Sequence, residues 1–488
     1  MPLCGRKRLP SAEMMADAGA ACVDGSFSYM EKVAAQPLRF EVQNLRYVRE
    51  HLSYGAEAER TAMAKVTVEG NHLVRDGKPF FWLADTIWTA FTNPTDDEWI
   101  AYLDQRAAQG FNVLQINALA QWDRAQAAFD RYPYQTPDHG KTFDFTKPDA
   151  SYWEHARWQL AEATKRGFTP AIVVQWCNYV PNTWASNMMP DNIIPDDLVE
   201  PVVKQILQSF NEFDPIYIIS GDTDFDHEEP IERYMRVTDL VERYAPDALR
   251  CYHIKGRYDG LPECLAKRAD IYLYQSGHNI SAQAGAYELA QSFAGRPQRK
   301  PIINAEPCYE QMGYSHMVYG RFRREDCRRA LWLSLMGGAS AGVTYGAHGV
   351  WNWETGVLEG GFAFGEGFLK ALPHEQGIHF AGARDFSFAR TVAERLGLLE
   401  LEPAQEMLAS RADDVFAART ADGTTLCIYV PTNASLRLKG DLTHANLHAL
   451  DVAEHESLPL AAEYDAERDE TLIRQSSCLE DALYIAEL

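Results

Sequence analysis

A (β/α)8 TIM barrel followed by a small C-terminal all-β sandwich is the α/β fold that this sequence predicts, and three observations carry it. A unit of helix, glycine, aromatic residue and apolar strand recurs along the middle of the chain. That unit occurs twice in full, and continuing along the chain gives eight strand starts with helical patterns between most of them. Beyond about residue 396 the helical period gives way to short, regularly spaced strand segments.

The elements follow in order. Residues 1–64 are weakly patterned and read as an N-terminal extension. From Lys65 the pattern sharpens: Val66-Thr67-Val68 and His72-Leu73-Val74 read as short strands, and Asp76-Gly77 is a hairpin turn signal. Phe80 opens a buried strand that ends at Asp85. Thr95 and Glu98 form a capping box for a helix with Trp99, Leu103 and Ala107 on one face and a stop at Gly110. Phe111 to Asn117 is the next strand. Ser151 and Glu154 read as a second capping box, Gly167 as a second stop, and Phe168 to Gln175 as the third strand. The remaining strands begin near Pro215, Leu249, Asp270, Pro301 and Ala341. Strands that alternate with helices pair in parallel, and eight such units close into a barrel. An open doubly wound sheet that binds nucleotides carries a Gly-rich phosphate loop after an early strand, and this chain has none. The barrel therefore spans 65–395.

In 396–488 the strand candidates are Val415 to Thr420, Thr425 to Val430, Ser435 to Leu438, Leu447 to Val452, Thr471 to Arg474 and Ala482 to Ile485. Asp422-Gly423 marks a hairpin between the first two. The acidic stretch Glu463 to Glu470 reads as a solvated turn. No low-complexity linker separates the two regions, so they are expected to pack rather than swing.

Composition narrows the function. The chain has 488 residues and a formal charge of −23, which opposes binding to a phosphate backbone. With 46% hydrophobic residues and no run of about 18 apolar ones, it reads as a globular protein without a membrane span. Nine cysteines form no CxxC pair and no metal-ligand spacing, which points to reduced thiols. The first residues lack the apolar core of a secretory signal, so a cytoplasmic location is expected. Oligomeric state is not legible.

Active sites of parallel barrels lie at the C-terminal strand ends. Those positions are polar here: Asp85, Gln115, Asn117, Gln175, Trp176, Asp222, His253, Gln275, Ser276, His278, Glu306, Tyr345 and His348. Amides, carboxylates, imidazoles and tryptophans around one rim suit a polyhydroxylated ring, so a carbohydrate is the expected ligand. Asp222 closes the apolar run Ile216 to Ile219, and Glu306 follows Ile302-Ile303. Two carboxylates reaching one cavity from separate strands are what glycoside hydrolysis requires. Either acid alone could equally cap a helix or pair with an arginine.

The segments GNHLVRDGKPFFWLADTIW, YLDQRAAQGFNVLQIN, IYIISGDTDFD, IYLYQSGHN, KPIINAEPCYE and GASAGVTYGAHGVWNW resemble, in that order, the apiosidase-like glycoside hydrolases (glycoside hydrolase family 140 and its relatives). The resemblance runs from about Val66 to Trp353. It implies a retaining glycosidase with Asp222 as acid/base and Glu306 as nucleophile, no cofactor, and apiose-terminated pectin side chains or related plant glycosides as substrates. It also implies the C-terminal β-sandwich. The family pattern has two glycines before the aspartate, where this chain has Ser220-Gly221, and its secretion signal is missing here.

Other features have weaker readings. Asp222 to Asp226 begins like a calcium loop, but His227 and Arg233 occupy the sixth and twelfth places, so no metal is expected. His278 could hold a hydroxyl or buttress Glu306. Trp351 and Trp353 could stack on sugar or plug the junction between the domains; Trp122 and Trp184 could wall the site or pack their loops. Trp351 and Tyr309 join the expected substrate-binding set. Cys308 reads as a packed thiol. The competing functions are a non-catalytic carbohydrate-binding barrel and, from His253, His278 and His348, a metal-dependent hydrolase.

Overall fold

The computed structural model describes residues 65–488 apart from 125–128, 316–318, 356–368 and 411–412; the predicted extension lies outside the described residues. A three-stranded antiparallel sheet opens this region: Thr67–Glu69 pairs with His72–Arg75, which Asp76-Gly77 joins to Lys78–Pro79. Both turn residues have positive φ (56° and 68°), as the two-residue turn requires.

The barrel strands are β1 (Trp82–Thr86), β2 (Val113–Asn117), β3 (Thr169–Trp176), β4 (Ile216–Gly221), β5 (Arg250–Cys251), β6 (Tyr272–Tyr274), β7 (Ile302–Asn304) and β8 (Gly342–Tyr345). Each starts within two residues of its expected position. They form one sheet in the order β5-β4-β3-β2-β1-β8-β7-β6, with parallel pairing throughout. The ring closes between β5 and β6 through Asp270 N–H to Arg250 O (2.8 Å) and Arg250 N–H to the Asp270 carboxylate (2.8 Å).

The principal outer helices are α1 (Asp96–Ala108), α2 (Ala150–Lys165), α3 (Val199–Phe210), α4 (Glu228–Tyr244), α5 (Gly285–Ala294), α6 (Arg324–Met336) and α7 (Gly382–Leu396), with a short turn Glu263–Ala266 after β5. The Thr95/Glu98 capping box of α1 is formed on both sides. The second box is not: α2 starts earlier, and Asp149 caps it by accepting from Ser151 N–H. Among the described residues no helix is long and apolar enough to cross a membrane.

After α7, Gly397 takes a left-handed conformation (φ 67°) and the chain turns to antiparallel strands. These are β9 (Leu401–Pro403), β10 (Phe416–Thr420), β11 (Thr425–Val430), β12 (Leu436–Lys439), β13 (Asn446–Asp451), β14 (Glu456–Pro459), β15 (Ala462–Asp465), β16 (Glu470–Ile473) and β17 (Ala482–Glu487). One sheet runs β9-β10-β11-β17-β13-β14 and the other β12-β16-β15. Part of the expected acidic turn is thus strand: β15 and β16 pair as a hairpin. β11 is buried along its whole length because its two faces serve two cores. Leu426, Ile428 and Val430 belong to the core of the sandwich, whereas Cys427 and Tyr429 belong to that of the barrel.

Candidate active site

Where the strands end, a cavity of about 510 Å³ opens. Asp222 and Glu306 both line it, together with Trp176, Gln275, His278, Tyr309 and Trp351 from the expected set.

Asp222 follows β4 in a left-handed conformation (φ 49°), which costs a non-glycine residue energy and so must be held. Its N–H donates to His253 Nδ1 (3.1 Å) and its carbonyl accepts from the Trp184 indole N–H (2.7 Å). Gly221 is required just before it, since a Cβ there would stand 2.4 Å from the Trp176 ring. Ser220 is fully buried and donates its hydroxyl to His253 O (2.9 Å).

Glu306 lies beyond β7 with an imidazole at each oxygen. His278 Nε2 is 2.9 Å from Oε1, and His253 Nε2 is 3.2 Å from Oε2. The two acids are therefore driven apart in ionisation. Burial, then the charge of Glu306, then Asp123 and Asp224 push Asp222 well above the ordinary carboxylate range, against Lys255. Burial would raise Glu306 too, but hydrogen bonding from the His253 and His278 imidazoles outweighs it and holds the group at about 2. One acid stays protonated where the other is ionised.

Aromatic rings wall the cavity. Trp88 and Trp176 meet edge to face at 4.9 Å, Trp122 and Trp184 at 5.4 Å, and His278 and Tyr309 at 4.6 Å. The Tyr309 hydroxyl is buried beside Glu306, and Gly346 makes room for its ring.

Several expected rim residues lie elsewhere. Asp85 sits within β1, fully buried, and faces α1: Arg106 Nε is 2.5 Å from its Oδ2 and the Tyr102 hydroxyl 2.9 Å. It is a structural ion-pair partner, since its carboxylate is committed to Arg106 and Tyr102 and does not line the cavity. Gln115 bridges the barrel interior, donating to Ala305 O (2.9 Å) and accepting from Thr344 (3.1 Å). Gln175 is fully buried below the cavity. Asn117 braces its own loop by donating to Gln121 (3.0 Å), and Ser276 accepts from Asn304 (2.9 Å). Tyr345 donates to Glu310 (2.6 Å), while His348 Nδ1 is 3.1 Å from Gln311 O. His253 is fully buried behind Asp222 and Glu306 and does not line the cavity. Trp353 stacks on His374 at 4.3 Å and is packed. Among the described residues no cluster of three His, Cys, Asp or Glu side chains could hold a metal.

Sequence reasoning missed Trp88, Gln121, Asp123, Met188, Lys255, Arg257, Met312 and Ser315, which also line the cavity. Trp88 lies three residues past Asp85, so reading the loop and not only the strand end would have found it. Lys255 and Arg257 follow His253 as cations in a strongly acidic chain, a second available signal.

Residues 68–400 match the family described as "Apiosidase-like, catalytic domain". This chain belongs to the apiosidase-like family. It is accordingly a glycosidase. A comparison with curated proteins finds no match. Among solved structures, one titled "Glycoside hydrolase" has a TM-score of 0.71 at 20% identity over 87% of this chain and 97% of that one. A glycoside hydrolase family 5 protein from Bacteroides vulgatus also gives 0.71, at 19% identity over 87% and 93%. A putative glycoside hydrolase from the same organism gives 0.62 at 14% identity over 88% and 84%. At these identities the likeness is one of fold.

Proposed function

We propose that this apiosidase-like protein is a retaining, exo-acting glycosidase that removes a terminal apiosyl or similar sugar from a plant-derived oligosaccharide or glycoside. The observation that carries the reading is the pair Asp222 and Glu306, which line one cavity from the ends of β4 and β7 with opposite ionisation. Glu306 attacks the anomeric carbon as Asp222 protonates the leaving oxygen. The glycosyl–Glu306 ester removes a charge that helps raise Asp222, whose carboxylate then takes a proton from a water that attacks the anomeric carbon, breaks the ester C–O bond and releases the sugar and the Glu306 carboxylate. Gln275, His278 and Tyr309 hold hydroxyls, and Trp351 and Trp176 offer apolar faces. A cavity of about 510 Å³ suits one or two sugar rings, which supports exo action. The free thiols among the described residues support the cytoplasmic location within this reading.

The test is hydrolysis of a panel of aryl glycosides and plant oligosaccharides by the wild type and Glu306→Gln, with the anomer of the released sugar followed by NMR. Release of one sugar with retained configuration, lost in the variant, supports the proposal. Inverted product, or full activity in Glu306→Gln, overturns it.

A further inference from the structure

His253 directs its two ring nitrogens at the two carboxylate-bearing loops. Its Nδ1 accepts from the Asp222 N–H (3.1 Å), so the ring proton of the neutral imidazole resides on Nε2. That nitrogen stands 3.2 Å from Glu306 Oε2. The ring cannot turn away from this arrangement. Trp88 and Trp176 pack against it, each with centroids 5.8 Å from its own, and the residue is fully buried. Its backbone is pinned as well: its N–H donates to Ser220 O (3.3 Å), and its carbonyl accepts from the Ser220 hydroxyl (2.9 Å).

Resting on the assignment of Asp222 and Glu306 above, we propose that His253 is a two-ended positioning residue. Its acceptor end fixes the backbone that aims the proton donor, and its donor end holds the nucleophile ionised and oriented. The two ends serve different parts of the reaction, so they are separable. His253→Asn keeps an acceptor near the Nδ1 position and loses the donor. His253→Gln keeps a donor near the Nε2 position and loses the acceptor.

The groups facing each acid set the background. Glu306 is faced by His253, His278 and Tyr309, and Asp222 by Glu306, Asp123, Asp224, Lys255 and Cys177. Loss of the donor removes one of the two imidazole contacts that oppose burial at Glu306. The acidic limb of kcat/KM then moves upward. Loss of the acceptor leaves the Asp222 N–H unpartnered beneath a strained φ. The nucleophile stays ionised, and proton delivery suffers.

The experiment measures kcat/KM against pH for wild type, His253→Asn and His253→Gln on two aryl glycosides of the cleaved sugar. One has a leaving group that departs without protonation, such as a dinitrophenolate, and the other needs an acid. His253→Asn is expected to raise the acidic limb by about one pH unit with equal losses on both substrates. His253→Gln is expected to leave the acidic limb in place and lose about tenfold more on the acid-dependent substrate. Equal losses on both substrates with unshifted limbs in both variants would reduce His253 to a packing residue and overturn the proposal. Ser220→Gly, which removes only the hydroxyl pinning His253, gives smaller changes of both kinds and keeps the test available should a ring variant not fold. If Glu306→Gln retains wild-type activity, the underlying assignment fails, and that outcome is independent of the His253 results.

Discussion

Two buried charge clusters in this protein obey opposite rules. At the seam between barrel and sandwich, acids meet guanidinium groups. Arg328 lies 2.5 Å from Asp481 and 3.3 Å from Asp385, and Arg324 is 2.6 Å from Asp385, which also faces His455 at 2.9 Å. The Asp85–Arg106 pair at α1 follows the same rule. At the cavity, no arginine pairs with Asp222 or Glu306 among the described residues; Asp222 faces other carboxylates, with Lys255 as the opposing charge, and Glu306 faces two imidazoles and the Tyr309 phenol. The first arrangement satisfies each charge and fixes a contact. The second leaves one acid in the wrong protonation state for stability and the right one for chemistry.

Substitutions on the two sides should therefore fail differently. The largest effect belongs to Glu306→Gln, which should cost at least about 10⁴-fold in kcat while melting close to wild type. Asp222→Ala should lose roughly 10²–10⁴-fold on glycosides whose leaving group needs a proton and far less on activated ones, as steady-state rates on both types will show. On the structural side, Asp85→Ala leaves the Arg106 charge buried and unpaired and should cost about 3–5 kcal/mol in denaturant unfolding. The fraction that folds should keep its kcat. A variant that lost activity without stability there would erase the contrast.

The smallest effect concerns pH. Asp222, raised in the folded state, favours folding fully below its unfolded pKa of about 3.9, and that contribution is lost as pH rises through the folded value. Asp222→Asn should hence raise Tm near neutrality by roughly 2 °C. Glu306 runs the other way: its contribution is present above the unfolded value of about 4.3 and disappears as pH falls through the folded value of about 2. Glu306→Gln should accordingly flatten the loss of stability on acidification.

The contrast also explains what the sequence could reveal. Every barrel strand was legible, because apolar runs between glycine stops and helix caps depend on local chemistry. Asp222 and Glu306 were legible as strand-end acids, but so was Asp85. Nothing local distinguishes them, since the Arg106 that neutralises Asp85 is on a helix 21 residues away. His253 was found for the wrong reason: its place at a strand end is visible in sequence, but its position behind the two acids is not. β14 and β15 escaped notice because edge strands with exposed residues carry little alternation. Lys255 and Arg257 lie in a loop whose path only the closed barrel defines.

The central claim is that Asp222 and Glu306 ionise in opposition: two imidazoles keep Glu306 charged, and burial together with that charge keeps Asp222 protonated. It is tested most directly by carbon-13 NMR titration of the side-chain carboxyls in the wild type, Asp222→Asn and Glu306→Gln, without any substrate. The account predicts an Asp222 midpoint well above that of an ordinary aspartate, a Glu306 midpoint near 2, and a fall in the Asp222 midpoint when Glu306 becomes glutamine. Ordinary midpoints for both acids, or an Asp222 midpoint unmoved in Glu306→Gln, would contradict it.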